Sequence, residues 1–124
     1  MFSRINFQPI QVTDTERARD FYRDKLGLTV DTDVPYGDDR WVFMRVGDSA
    51  TMIQFDRRKE IAPSPTPVLI LVTDDVDATC ATLRERGVEV TAGPDDAPWA
   101  PGTRWAMIKD SEGNLILVQT VLEA

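Results

Sequence analysis

The chain has 124 residues, 42% hydrophobic and 28% charged, the size and composition of one globular domain able to bury a core without disulfides or metal. Its formal charge of -7 is uneven, with ten basic and eleven acidic side chains in residues 1–60 but four and ten in residues 61–124. The second half therefore has no basic stripe to neutralise phosphates, and no nucleic-acid partner is expected.

In chain order, Ile5 to Val12 reads as a strand. Thr13 with Glu16 three residues on forms a capping-box pattern, which predicts a helix running to about Lys25. Ala18, Phe21, Tyr22 and Leu26 give that helix its apolar stripe, and Gly27 suits the left-handed position that ends it. Leu28 to Val34, Trp41 to Val46 and Ala50 to Asp56 read as three strands, separated by Pro35-Tyr-Gly-Asp-Asp and Gly47-Asp-Ser. Arg57-Arg-Lys59, beside Asp56 and Glu60, reads as a solvated strand end.

Three prolines in Ile61-Ala-Pro-Ser-Pro-Thr-Pro67 remove backbone donors and fix φ, so this segment is expected to be a linker. A strand follows near Val68 to Val72, then a helix from about Asp75 to Arg86 closed by Gly87, and a strand at Val88 to Thr91. The stretch Gly93 to Gly102 reads as a loop carrying Trp99 between two prolines, and Trp105 to Lys109 and Asn114 to Val121 as a hairpin around Asp110-Ser-Glu-Gly-Asn. The order βαβββ thus occurs twice. The sequence also repeats itself at an offset of 60: Val12-Thr-Asp returns as Val72-Thr-Asp, and Ala18, Gly27 and Val30 return as Ala78, Gly87 and Val90. We expect a single α+β domain over residues 1–124, with module 1 about 1–60, linker 61–67 and module 2 about 68–124.

The apolar runs are too short to span a membrane, and Met1-Phe-Ser-Arg-Ile lacks the tracts of a secretion signal, so no membrane partner and a cytoplasmic location are expected. Cys80 is the sole cysteine and no histidine exists to activate it, so we read a buried structural thiol on the second helix.

Two tandem βαβββ modules, with Phe21-Tyr-Arg-Asp-Lys-Leu-Gly27 closing the first helix and Asp110-Ser-Glu-Gly-Asn-Leu-Ile116 before the last strand, resemble the vicinal oxygen chelate superfamily. That family includes glyoxalase I, extradiol dioxygenases, and fosfomycin and bleomycin resistance proteins. The resemblance implies a curled mixed sheet around a cavity, helices outside, and a homodimer. Its metal-using members place histidine, glutamate or glutamine at equivalent points of four inner strands. Here those points hold Phe7, Gln54, Pro67 or Val68, and Leu117, the third depending on whether Asp74 or Asp75 starts the helix. A divalent ion needs several converging donors, and one amide does not supply them. No metal and no cofactor are therefore expected. Asp31, Asp33, Asp38, Asp39, Asp74, Asp75, Asp95 and Asp96 read as solvated turn and cap acids.

The branch this pattern resembles is the bleomycin-resistance type, which implies sequestration of a small toxic molecule, as in antibiotic resistance, without altering it. Strand alternation puts Phe7 with Pro9 and Gln11, Gln54 with Met52 and Asp56, and Trp41 with Phe43 and Arg45 on cavity-facing sides. Phe7, Trp41, Phe43, Trp99 and Trp105 would stack on a small aromatic or cationic ligand. Gln11, Gln54 and Gln119 would orient it, and Arg45 or Arg104 would meet an oxyanion. Two enzyme readings stand as alternatives: a metal-dependent lyase, isomerase or dioxygenase, and a metal-free enzyme with Asp56 or another carboxylate as base. A third is an interaction module whose interior is filled by its own side chains.

Overall fold

The computed structural model describes residues 1–122. Contacts divide the chain into two compact units, Met1–Ala62 and the chain from Pro63 onward. Unit 1 holds β1 (Phe7–Val12), α1 (Thr15–Asp24), β2 (Thr29–Tyr36), β3 (Asp39–Arg45) and β4 (Met52–Arg57). Unit 2 holds β5 (Leu69–Val72), α2 (Val76–Glu85), β6 (Val90–Asp96), β7 (Arg104–Lys109) and β8 (Leu115–Gln119). The fold is α+β with the βαβββ order twice, as the sequence predicts. No helix among the described residues is long and apolar enough to cross a membrane.

Each helix begins on an aspartate. Asp14 is extended and its carboxylate accepts the Arg17 backbone N–H at 3.0 Å, and Asp75 accepts that of Ala78 at 3.0 Å. Such a cap satisfies an otherwise orphaned donor and stabilises a helix by about 1 kcal/mol. The cap expected on Thr13 thus falls on Asp14, which puts Arg17 rather than Glu16 at the third helical position and so gives a simple cap in place of the expected box, and Asp75 rather than Asp74 is the second helix-start acid. Gly27 and Gly87 end the helices at φ +76 and +81, where other residues are strained.

The four-stranded sheets have the same topology, β1-β4-β3-β2 and β5-β8-β7-β6, with the first strand of each parallel to the last and the other pairs antiparallel. In unit 1, Ile10, Val12, Val42, Met44, Ile53 and Phe55 turn one sheet face towards α1, where Ala18 and Tyr22 are fully buried. Tyr22 meets Phe55 edge-on at 5.2 Å. In unit 2, Val76, Cys80 and Leu83 of α2 lie over Ala106, Ile108, Ile116 and Val118. A buried large aliphatic side chain stabilises by roughly 1.5–3 kcal/mol, so these two layers carry most of the folding free energy. Cys80 is fully buried, and burial pushes its thiol pKa up, as suits a structural residue.

Two expected loops are in part strand. β2 continues through Pro35 and Tyr36, which pair with Arg40 and Asp39 around a two-residue Gly37-Asp38 turn. β6 continues through Pro94 to Asp96. Both are edge strands of their sheets, where a proline's missing N–H faces outward and costs no ladder bond.

Candidate functional site

Because Val42, Met44, Ile53 and Phe55 face α1, alternation turns Trp41, Phe43 and Arg45 of β3 and Gln54 and Asp56 of β4 to the other side of the sheet. Phe7, Pro9 and Gln11 of β1 follow, with Pro9 opposite Gln54 and Gln54 opposite Phe43. Six of the sequence-predicted residues, Phe7, Gln11, Trp41, Phe43, Arg45 and Gln54, therefore share one face of one sheet.

The rings on that face touch in a row. Phe7 meets Phe43 at 5.0 Å and 82°, Phe43 meets Trp41 at 5.4 Å and 74°, and Trp41 meets Tyr36 at 5.6 Å and 46°. Trp41 is 37% exposed and Tyr36 68% exposed, so the row has an open side. Tyr36 is a member that sequence reasoning missed, because Pro35 and Gly37 mark it as loop. The signal that finds it is strand alternation carried past the proline, since Thr32 pairs with Phe43 and Val34 with Trp41.

The polar groups of this face are already engaged. Gln54 is buried and its Nε2 donates to the Phe55 carbonyl at 2.7 Å. A register shift between Val30 and Thr32 accompanies an ion pair in which the Arg45 Nε donates to Asp31 at 2.8 Å. Asp56, read from the sequence as a potential base, accepts two hydrogen bonds from Arg58 at 2.9 and 3.1 Å. Gln11 is exposed on β1, the edge strand.

The other two predicted residues lie in unit 2. Trp105 alternates with buried Ala106 and so stands on the face of β5–β8 turned from α2, and Trp99 approaches it at 6.1 Å and 45°. Trp99 is 57% exposed, in a loop whose base is tied by the Ala97 N–H donating to the Thr103 carbonyl at 2.9 Å. Ile70 and Val72, 56% and 59% exposed, lie on this face of β5, with Leu117 and Met107 beside them on β8 and β7. Arg104 is turned the other way, bound to Asp77 of α2 at 2.7 Å and to Asp96 at 3.0 Å.

The four ligand positions of the metal-using pattern can now be fixed. With Asp75 as the helix cap, the third is Val68, so the set is Phe7, Gln54, Val68 and Leu117. It offers one carboxamide, whose nitrogen is bound to a strand carbonyl. Among the described residues no group of three or more His, Cys, Asp or Glu side chains is placed to hold a metal ion. These residues do not fit a chelate centre.

A polar cleft of about 510 Å³ opens elsewhere in unit 1, between residues 13–16 at the start of α1, residues 37–40 and Arg57. Its two cations are committed, Arg40 to Asp33 and Arg57 to Asp38 and Asp39. Small-molecule sites are mostly apolar with few placed polar groups, so the aromatic face, not this cleft, is the candidate.

The comparisons with known proteins agree with this architecture. One structure is that of TnmS3, an antibiotic binding protein from Streptomyces sp. CB03234, at 34% identity and a TM-score of 0.83, with 98% of each chain covered. A glyoxalase/bleomycin resistance protein from the same organism is 35% identical, with a TM-score of 0.75 over 93% of this chain and 98% of that one. A member of the glyoxalase/bleomycin resistance protein/dioxygenase superfamily from Sphaerobacter thermophilus DSM 20745 is 27% identical, with a TM-score of 0.82 over 97% and 98%. The model of the glyoxalase/bleomycin resistance protein/dioxygenase superfamily matches residues 4–118, and the chain belongs to that family.

Proposed function

We propose that this protein binds a small flat aromatic molecule on the face of β1–β4 turned from α1 and sequesters it unchanged, without a metal. The observation that carries this reading is the row Phe7, Phe43, Trp41 and Tyr36, four rings in successive contact on one face of the sheet, with Trp41 and Tyr36 exposed at its end. Adjacent exposed aromatic side chains backed by further rings favour a small-molecule contact, and flat ligands gain most against aromatic walls. The likeness to an antibiotic binding protein at 34% identity supports the same class of function. Trp99 and Trp105 form a second aromatic contact of the same type in unit 2.

Tryptophan-fluorescence titration of metal-stripped protein with flat aromatic compounds tests the reading. Saturable quenching is expected without added metal. Trp41→Ala should weaken binding by roughly 2- to 30-fold, the equivalent of about 0.5–2 kcal/mol for one aromatic contact. Binding that requires zinc, nickel, iron or manganese, or turnover of the bound compound, would overturn it.

A further inference from the structure

We infer that unit 2 carries a binding site of its own for a weakly hydrated organic cation, a trialkylated ammonium group, built from Asp95, Trp99 and Trp105. The inference goes beyond the proposed binding function and does not depend on it. Register sets one row of side chains across the face of β5–β8 turned from α2. Asp95 of β6 lies opposite Trp105 of β7, Trp105 opposite Gln119 of β8, and Gln119 opposite Val72 of β5. Directly opposed residues of neighbouring strands point to the same side with Cβ atoms about 4.5–5.5 Å apart, so the Asp95 side chain stands next to the Trp105 indole. Trp99 reaches the same indole from its loop, at 6.1 Å and 45°. That loop is held in advance: the Ala97 N–H donates to the Thr103 carbonyl at 2.9 Å, the Ala100 N–H to the Ala97 carbonyl at 3.2 Å, and the Thr103 hydroxyl to the Ala100 carbonyl at 2.6 Å.

An indole face attracts a cation within about 6 Å of its centre, and an adjacent carboxylate supplies the full counter-charge. Two indoles tilted by 45° are not stacked flat on each other, so each keeps a face for the same guest. One Asp95 oxygen accepts the Asp96 backbone N–H at 2.8 Å, which steadies the carboxylate without neutralising it. Arg104, the cation next to Trp105 in the chain, is turned to the α2 side and bound there to Asp77 and Asp96. The repeat shows what is particular to unit 2. Phe43 lies opposite Gln54 and Met107 opposite Leu117, so Trp41 and Trp105, two residues earlier, occupy equivalent positions. The residue across the edge ladder from Trp41 is Val34, whereas that across from Trp105 is Asp95. The acids on the unit 1 face, Asp39 and Asp56, have Arg57 and Arg58 as partners. A trialkylated ammonium fits best because it gives up its hydration at low cost and its methyl groups pack on indole. The four basic and ten acidic side chains of residues 61–124 add a long-range attraction for cations.

The test uses choline and its uncharged isostere 3,3-dimethylbutan-1-ol, which share a shape and differ in charge. Each is titrated to about 50 mM into the full chain labelled with nitrogen-15, at pH 7, and the three tryptophan indole N–H signals are followed, assigned with single Trp→Phe variants. Choline should shift the Trp99 and Trp105 signals saturably, with little movement at Trp41, and bind at least fivefold tighter than the alcohol. Asp95→Asn keeps an acceptor for the Asp96 N–H and removes the charge. It should weaken choline at least threefold and leave the alcohol unchanged. Trp99→Ala, in an exposed loop, should also weaken choline at least threefold. Thermal melts confirm that both variants are folded. The inference is overturned if the alcohol binds as tightly as choline, if Asp95→Asn keeps the parent affinity for choline, if no saturable shift occurs, or if the response centres on Trp41. The flat-ligand reading of unit 1 is tested by its own titration, so either conclusion can fail while the other stands.

Discussion

Asp33 shows how far a single residue can depart from its sequence appearance. In the sequence it is one of many turn acids. In the structure its carboxylate is 19% exposed and accepts hydrogen bonds from Arg19 of α1 at 2.8 Å and from Arg40 of β3, so it clasps the helix to the sheet edge. Burial works against its charged form, but the hydrogen bonds from Arg40 and Arg19 outweigh burial and hold its pKa below the usual carboxylate range. A folded-state pKa below the unfolded value of about 3.9 gives a contribution present above that value and lost as pH falls through the folded pKa. We expect Asp33→Asn to lower stability by about 1–2 kcal/mol between pH 5 and 7, and the gap to the parent protein to close in urea titrations below about pH 4. A gap that is constant down to pH 2 would mean that the loss is one of packing and not of charge. The same blindness hid the Arg45–Asp31 pair. Both partners are visible in the sequence, but the register shift at Asp31 that accompanies their pairing is a property of the paired strands.

At the scale of elements, the helices and central strands were legible because their signals are local: an acid before an apolar stripe, a glycine after it, alternation in β3 and β4. The edge strands were not. Pro35 and Pro94 are strong breakers in isolation, and only strand order reveals that β2 and β6 are edges where proline is tolerated. This is why Tyr36 dropped out of the candidate site and why the Trp99 loop is shorter than the sequence suggests. Within β6, Gly93 has φ +72, and a Cβ there would lie 2.6 Å from the Trp105 carbonyl oxygen and 3.0 Å from the Ala106 Cα. Gly27 has φ +76 with nothing within 4 Å of its Cβ position. The pair separates two costs. Gly27→Ala should lose only the left-handed preference, about 1 kcal/mol. Gly93→Ala carries that plus a backbone collision against β7 and should cost about 2–4 kcal/mol in urea unfolding. Because β7 must move, it should also change the tryptophan fluorescence of the folded protein, to which Trp105 and Trp99 contribute. Equal losses at the two glycines would show that β7 yields freely.

For the molecule as a whole, the internal repeat is real but its register is not the one the sequence advertises. Ile10 lies opposite Phe55 and Leu71 opposite Val118, and the helix caps are Asp14 and Asp75, so through the first strand and helix the units superpose at 61 residues, not 60. The identity of Val12 with Val72 is therefore misleading, since Val12 is fully buried under α1 while Val72 is 59% exposed on the other face of its sheet. Ala18 is likewise buried and Ala78 exposed. The offset returns to 60 at Gly27 and Gly87, because the link from helix to glycine is one residue shorter in unit 2. Read at 61, the repeat becomes an internal control. Thr15 and Val76 both occupy the first helical position, 3% and 1% exposed, but the buried Thr15 hydroxyl has no hydrogen-bond partner in the structure. Unit 2 solves the same position with a methyl group. A buried hydroxyl without a partner costs about 1–3 kcal/mol, and valine keeps the shape and the β-branching while removing it. Thr15→Val should therefore raise stability by about 1 kcal/mol in urea unfolding, whereas Val76→Thr should lower it by a similar amount or more. Destabilisation by Thr15→Val would show that the hydroxyl has a partner in solution and that the two helix starts are not equivalent.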